Sequence, residues 1–99
     1  MSRWIVLVTP VGGVAAEASS VRTLTEFEGS AEEAMTEFSK RVNTYDQDVT
    51  KVKRREVFRC SDRSYFVRVN GRLSQFEYFF QLAELVADTG FSGLPDTIS

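Results

Sequence analysis

An α+β domain, with a four-stranded antiparallel or mixed sheet carrying two helices on one face in the order ββαββα, is what this 99-residue sequence predicts. Three observations carry that expectation. Four short segments are rich in β-branched and aromatic residues, two glycines (Gly29 and Gly71) are each followed by a Ser-x-x-Glu capping box, and each box opens onto apolar residues at three- and four-residue spacing. Residues 1–90 read as a single domain, and Gly90, Gly93 and Pro95 mark 91–99 as an irregular tail.

The first strand is the continuous apolar run Trp4-Ile5-Val6-Leu7-Val8 with Thr9, ended by Pro10, and reads as a central strand buried on both faces. Small and polar residues over 12–20 read as a loop. Residues 21–28 alternate, with Val21, Thr23, Thr25 and Phe27 opposite Arg22, Leu24, Glu26 and Glu28, which is the period of a second strand. Gly29 ends it, and Ser30 with Glu33 starts a helix to about Asn43 whose stripe is Ala31, Ala34, Met35, Phe38 and Val42. Polar residues over 44–50 connect to two more strands, 53–60 and 65–70. Pairing Cys60 with Tyr65 gathers Arg55, Arg59, Phe66 and Arg68 on one face and sets Phe58 opposite Val67 on the other. Ser74 and Glu77 then open a helix over 74–88, with Phe76, Phe79, Phe80, Ala83 and Val86 facing the core and Tyr78, Leu82 and Leu85 on a second apolar flank.

Composition narrows the chemistry. With no histidine and one cysteine, the chain has no Ser-His or Cys-His dyad, no His-ligated zinc site, and no intramolecular disulfide. Cys60 reads as a small buried apolar residue in a reducing cytoplasm. Arg3, the apolar run after it and Ala16-Glu17-Ala18 imitate a secretion signal, but Pro10, Gly12 and Gly13 interrupt the apolar stretch. No segment has the roughly 20 apolar residues of a membrane span.

Charge is unevenly distributed. Residues 51–72 hold eight Lys/Arg against two acids, whereas 1–50 and 73–99 each sum to -4, for -2 overall. Arg55, Arg59 and Arg68 beside Phe66 have the makings of a single-stranded nucleic-acid surface, where phosphates are neutralised and a base stacks. Ion pairs from Glu26 and Glu28 would cancel that surface. The acids Glu26, Glu28, Glu32, Glu33 and Glu37 are accounted for by the helix dipole and an i,i+4 pair to Arg41 rather than by acid–base catalysis. Thr9-Pro10-Val11-Gly12-Gly13 lacks the lysine of a phosphate loop.

What remains is an apolar surplus. Two helices cover one sheet face, so either Trp4, Val6 and Val8 or Ile5 and Leu7 stay uncovered, together with Leu24, Val57 and Phe66. The sequence therefore points to a non-enzymatic interaction module without cofactor or metal, a homodimer or the companion of a protein partner, joined through Tyr78, Leu82, Leu85, Trp4, Val57 and Phe66. Nucleic-acid binding through Arg55, Arg59, Phe66 and Arg68 is the alternative, and the cytoplasm is the expected compartment.

Overall fold

The computed structural model describes residues 1–12, 21–47 and 49–88, so the expected tail over 91–99 and the expected loop over 12–20, apart from Gly12 at the end of the first strand, lie outside the described residues. Its elements are β1 (Ser2–Gly12), β2 (Arg22–Gly29), α1 (Ala31–Thr44), β3 (Arg54–Ser61), β4 (Ser64–Asn70) and β5 (Gln75–Glu84). All pairings are antiparallel, in a five-stranded sheet of order β2-β1-β5-β4-β3. This overturns the ββαββα fold with four strands and two helices: the described residues form five strands and one helix.

The correction falls on residues 74–88. Phe76, Tyr78, Phe80 and Leu82 are all buried on one side of β5, while Gln75, Glu77, Phe79, Gln81 and Ala83 alternate onto the other. The segment therefore satisfies both a two-residue and a near-four-residue period, and four aromatics in five positions tip it to strand, where flat rings pack on a pleated surface. Pairing with β1 on one side and β4 on the other settles the matter energetically, because a central strand satisfies its backbone groups along both edges. The Ser74–Glu77 pattern caps nothing; Ser74 belongs to the β4–β5 turn, where its carbonyl accepts from the Gly71 amide at 2.8 Å.

The helix itself forms as its sequence dictates. Ser30 Oγ accepts from the Glu33 amide at 3.1 Å while Glu33 Oε1 accepts from the Ser30 amide at 2.8 Å, a reciprocal cap. Ala34, Phe38 and Val42, four residues apart, are its buried stripe. They lie on Trp4, Val6 and Val8 of β1, Val67 and Val69 of β4, and the even-numbered side of β5. Phe38 meets Tyr65 edge-on at 5.4 Å, and Tyr45 at the helix end meets Tyr78 at 5.0 Å and Phe80 at 5.6 Å. No helix among the described residues is long and apolar enough to cross a membrane.

Two irregularities set the faces. In β2 the register shifts so that Leu24 is an extra residue packed against the core, between Thr25 opposite Val6 and Thr23 opposite Leu7. In β3 the turn is Asp62-Arg63, closed by Ser61 opposite Ser64, and Cys60 is then skipped so that Arg59 pairs with Tyr65. That one-residue bulge inverts every side chain of β3 relative to the expected register, because the strand period is two.

Candidate interaction surface

The helix lies on one side of the sheet, so the side chains on its other side have no layer over them among the described residues. Those side chains form cross-strand rows. Thr9, Phe79, Phe66 and Phe58 make one row through β1, β5, β4 and β3. Leu7, Gln81 and Ser64 make the next, and Glu26, Ile5 and Ala83 the one beyond. On the other flank of the aromatic row stand Glu77, Arg68 and Glu56. Ile5, Leu7, Phe66 and Phe79 are half-buried by one another, and Phe58 at the sheet edge is 45% exposed.

Apart from Glu28 on the outer strand β2, the charges on this face are paired internally. Arg68 sits between two carboxylates, 3.3 Å from Glu77 and 3.4 Å from Glu56, with its guanidinium 5.6 Å from the Phe58 ring centroid. Arg54 reaches Glu56 at 3.4 Å, and at the opposite corner Arg3 reaches Glu26 at 3.0 Å. Phe58 and Phe66 stand 6.2 Å apart in a tilted pair. The result is an apolar field bordered by ion pairs. Beside Arg3 and Glu26 it opens into a cleft of about 560 Å³ with Ile5, Leu85 and Val86 in its walls.

The residues expected to form an interface fare unevenly. Tyr78, Leu82 and Trp4 are buried under the helix, Tyr78 completely, because alternation in β5 and β1 turns them to the core. The Trp4 indole donates to the Gly29 carbonyl at 3.0 Å, and the Arg63 guanidinium stacks 4.9 Å above the ring. Leu85 is 48% exposed just past β5, Val57 is 38% exposed on the helix side of β3, and Phe66 lies on the open face. Ile5 and Leu7, one of the two sets left uncovered by the sequence argument, are the set on the open face. Strand β1 is thus buried on one face only, contrary to the expectation of two. Phe79, Phe58 and Ala83 were missed as open-face residues; reading 75–84 with period two would have placed Phe79 and Ala83 there.

The arginines do not assemble as expected. Phe66 and Arg68 share the open face, but Arg55 and Arg59 point to the helix side because of the bulge at Cys60. Arg55 donates through Nη1 to the Tyr45 carbonyl at 2.8 Å and so closes the helix C-terminus. Burial pushes its guanidinium below the ordinary value, opposed by Asp46 and Tyr78, and a group that starts so high stays cationic. The expected neutralisation by Glu26 and Glu28 is also redistributed: Glu26 pairs with Arg3, and Arg68 with Glu56 and Glu77. Cys60, expected to be buried, is exposed at the bulge. No protein-family model, curated protein or solved structure matches the chain.

Proposed function

We propose that this chain is a non-enzymatic interaction module that self-associates by stacking the open faces of two sheets. The observation that carries the reading is the row Phe79, Phe66 and Phe58, set beside Ile5 and Leu7 on the face opposite the helix. Two features favour a second copy as occupant. Around its aromatic row the face carries its charges as closed pairs, so its centre selects no oppositely charged partner and can approach its own image. Its central strand is β5, so a two-fold axis along β5 sets Phe79 of one copy on Phe79 of the other and needs only one self-complementary patch.

Size supports the same occupant. Five strands at about 4.8 Å spacing, with about 20 Å of strand length, give roughly 500 Å² per copy, which brings the pair to the lower bound of about 1,000 Å² for a specific interface. A single cysteine fits a reducing cytoplasm, where an exposed thiol such as Cys60 stays free. The nucleic-acid alternative has lost its main support, since Arg55 and Arg59 lie across the sheet from Phe66 and Arg68.

The test is solution mass by light scattering at micromolar concentration. The wild-type chain should run at twice 11.2 kDa, and Phe79→Asp, which sets a carboxylate at the centre of the stacked faces, should return it to one chain. A wild-type mass of one chain sinks the proposal. A dimer indifferent to Phe79→Asp moves the interface off this face.

A further inference from the structure

The end of the sheet where β4 turns into β5 carries positive charge that the described residues leave unanswered. Arg3, Arg41, Arg54, Arg63 and Arg68 each reach a carboxylate, and Arg55 reaches a backbone carbonyl. Lys51, Lys53 and Arg72 have no carboxylate within ion-pair distance among the described residues. Hydrogen bonds hold their backbones together: the Arg72 amide donates to the Thr50 carbonyl at 3.2 Å, and the Lys53 amide to the Asn70 carbonyl at 2.8 Å. Arg54 follows directly, its side chain 70% exposed and tethered to Glu56 at 3.4 Å. Two further observations set this corner apart. Leu73, beside Arg72 in the turn, is 92% exposed, more than any other large apolar side chain of the described residues except Met1. Lys51 has φ 61°, a left-handed backbone that a residue with a Cβ adopts at a cost and that glycine or asparagine fills more easily. A lysine held in that conformation points to a use for its charge.

We propose that this corner docks on an anionic phospholipid surface without crossing it. Leu73 enters the boundary between headgroups and acyl chains, while Lys51, Lys53, Arg54 and Arg72 stand at the level of the phosphates. Cations around an apolar tip suit that boundary, because the tip leaves water as the cations meet lipid charge. The phosphates of a nucleic acid would answer the same cations but leave Leu73 unused, and Phe76, the ring beneath the turn, is buried and offers a base no stacking surface. The chain is acidic overall, at -2, so the attraction is local and acts within a Debye length, about 8 Å at 0.15 M salt. The contact lies at the end of the sheet, apart from the Phe79 row, and holds for one copy or two.

The test is co-sedimentation of the full chain with vesicles of phosphatidylcholine, alone or with about one-third phosphatidylserine. Binding should appear only on the anionic vesicles at about 50 mM salt and fall at least roughly tenfold at about 500 mM. Arg72→Gln and Lys51→Asn should each weaken it about fivefold, and Leu73→Ser about tenfold. Asparagine suits the left-handed backbone, so Lys51→Asn should unfold in urea no earlier than wild type, which separates a lost charge from a lost fold. Arg59→Gln removes the same charge toward the far end of β3, from a side chain that also has no ion-pair partner among the described residues, and should leave binding unchanged. No binding to anionic vesicles, a loss with Arg59→Gln as large as with Arg72→Gln, or Leu73→Ser binding as wild type does each overturns the docking. A random oligonucleotide bound more tightly than the vesicles overturns it as well and makes the corner a nucleic-acid site. The open-face reading is judged apart, by solution mass without lipid.

Discussion

The two faces of this sheet are built from the same strands and differ in what they can hold. On the helix side β1, β4 and β5 present Trp4, Val6, Val8, Val67, Val69, Phe76, Tyr78, Phe80 and Leu82, all buried. On the other side the same strands present Ile5, Leu7, Thr9, Phe66, Arg68, Glu77, Phe79 and Gln81, a mixture in which apolar groups are half-covered and charges are paired laterally. The difference teaches where folding energy and association energy reside. Burial beneath α1 stabilises the monomer, while the open face leaves apolar area uncovered for a second molecule to remove from water. A protein that needed only to fold would have made its open-face positions polar throughout.

The sharpest way to break the comparison is to truncate one phenylalanine on each face. Phe38 is fully buried and holds α1 against Tyr65, so Phe38→Ala should cost about 3–5 kcal/mol of unfolding free energy in urea titration. Phe66→Ala removes a half-buried ring and should cost the monomer about 1 kcal/mol or less, with its larger effect on mass in solution. Comparable losses at both positions would mean that the open face is a second core.

A smaller effect tests how far the covered face extends past the strands. A Cβ on Gly71 would come within 2.6 Å of Val49 Cγ1 and 3.2 Å of the Thr50 carbonyl, because the connection after α1 packs onto the β4–β5 turn, with Val49 and Val52 against the core. Gly71→Ala should therefore cost about 1–3 kcal/mol, since a β-branched side chain and backbone have little room to move. Calorimetry reads the loss directly; a stability change near zero would detach that connection from the core.

Much of this arrangement is legible in the residues. The first four strands and the helix follow from period and capping, and the apolar run of β1, too long for one covered face, narrows its uncovered set to Trp4, Val6 and Val8 or Ile5 and Leu7 without choosing between them. Two things were not legible, for different reasons. In Gln75–Glu84 aromatics occupy both odd and even positions, so helical and strand periods coexist, and pairing with strands distant in sequence decides between them. The bulge at Cys60 leaves no mark on composition, yet it exchanges the faces of Arg55, Val57 and Arg59 for those of Glu56 and Phe58 and so dissolves the arginine patch. A two-residue turn at Asp62-Arg63 without a bulge would have produced the expected face.

The smallest effect concerns the element that makes the two faces unequal. Glu33 completes the reciprocal cap with Ser30, and hydrogen bonding of its carboxylate, first to the Ser30 backbone amide and then to the Ser30 side chain, holds its pKa below the ordinary glutamate value. A depressed carboxyl pKa means that the folded state favours the charged form, so the cap's contribution is complete above the unfolded glutamate pKa and is lost as pH falls through the lowered folded one. Acid should therefore loosen the first turn of α1 while β4 and β5 keep their pairing. Ser30→Ala, expected to cost about 1 kcal/mol at neutral pH, should also return the Glu33 titration toward its ordinary value. Amide exchange at Ala34 and Met35, compared with Val67 and Phe79 across the same titration, separates the two regions. If all four open together in wild type, or if Ser30→Ala titrates as wild type does, the helix start is not an independently acid-sensitive part of the cover.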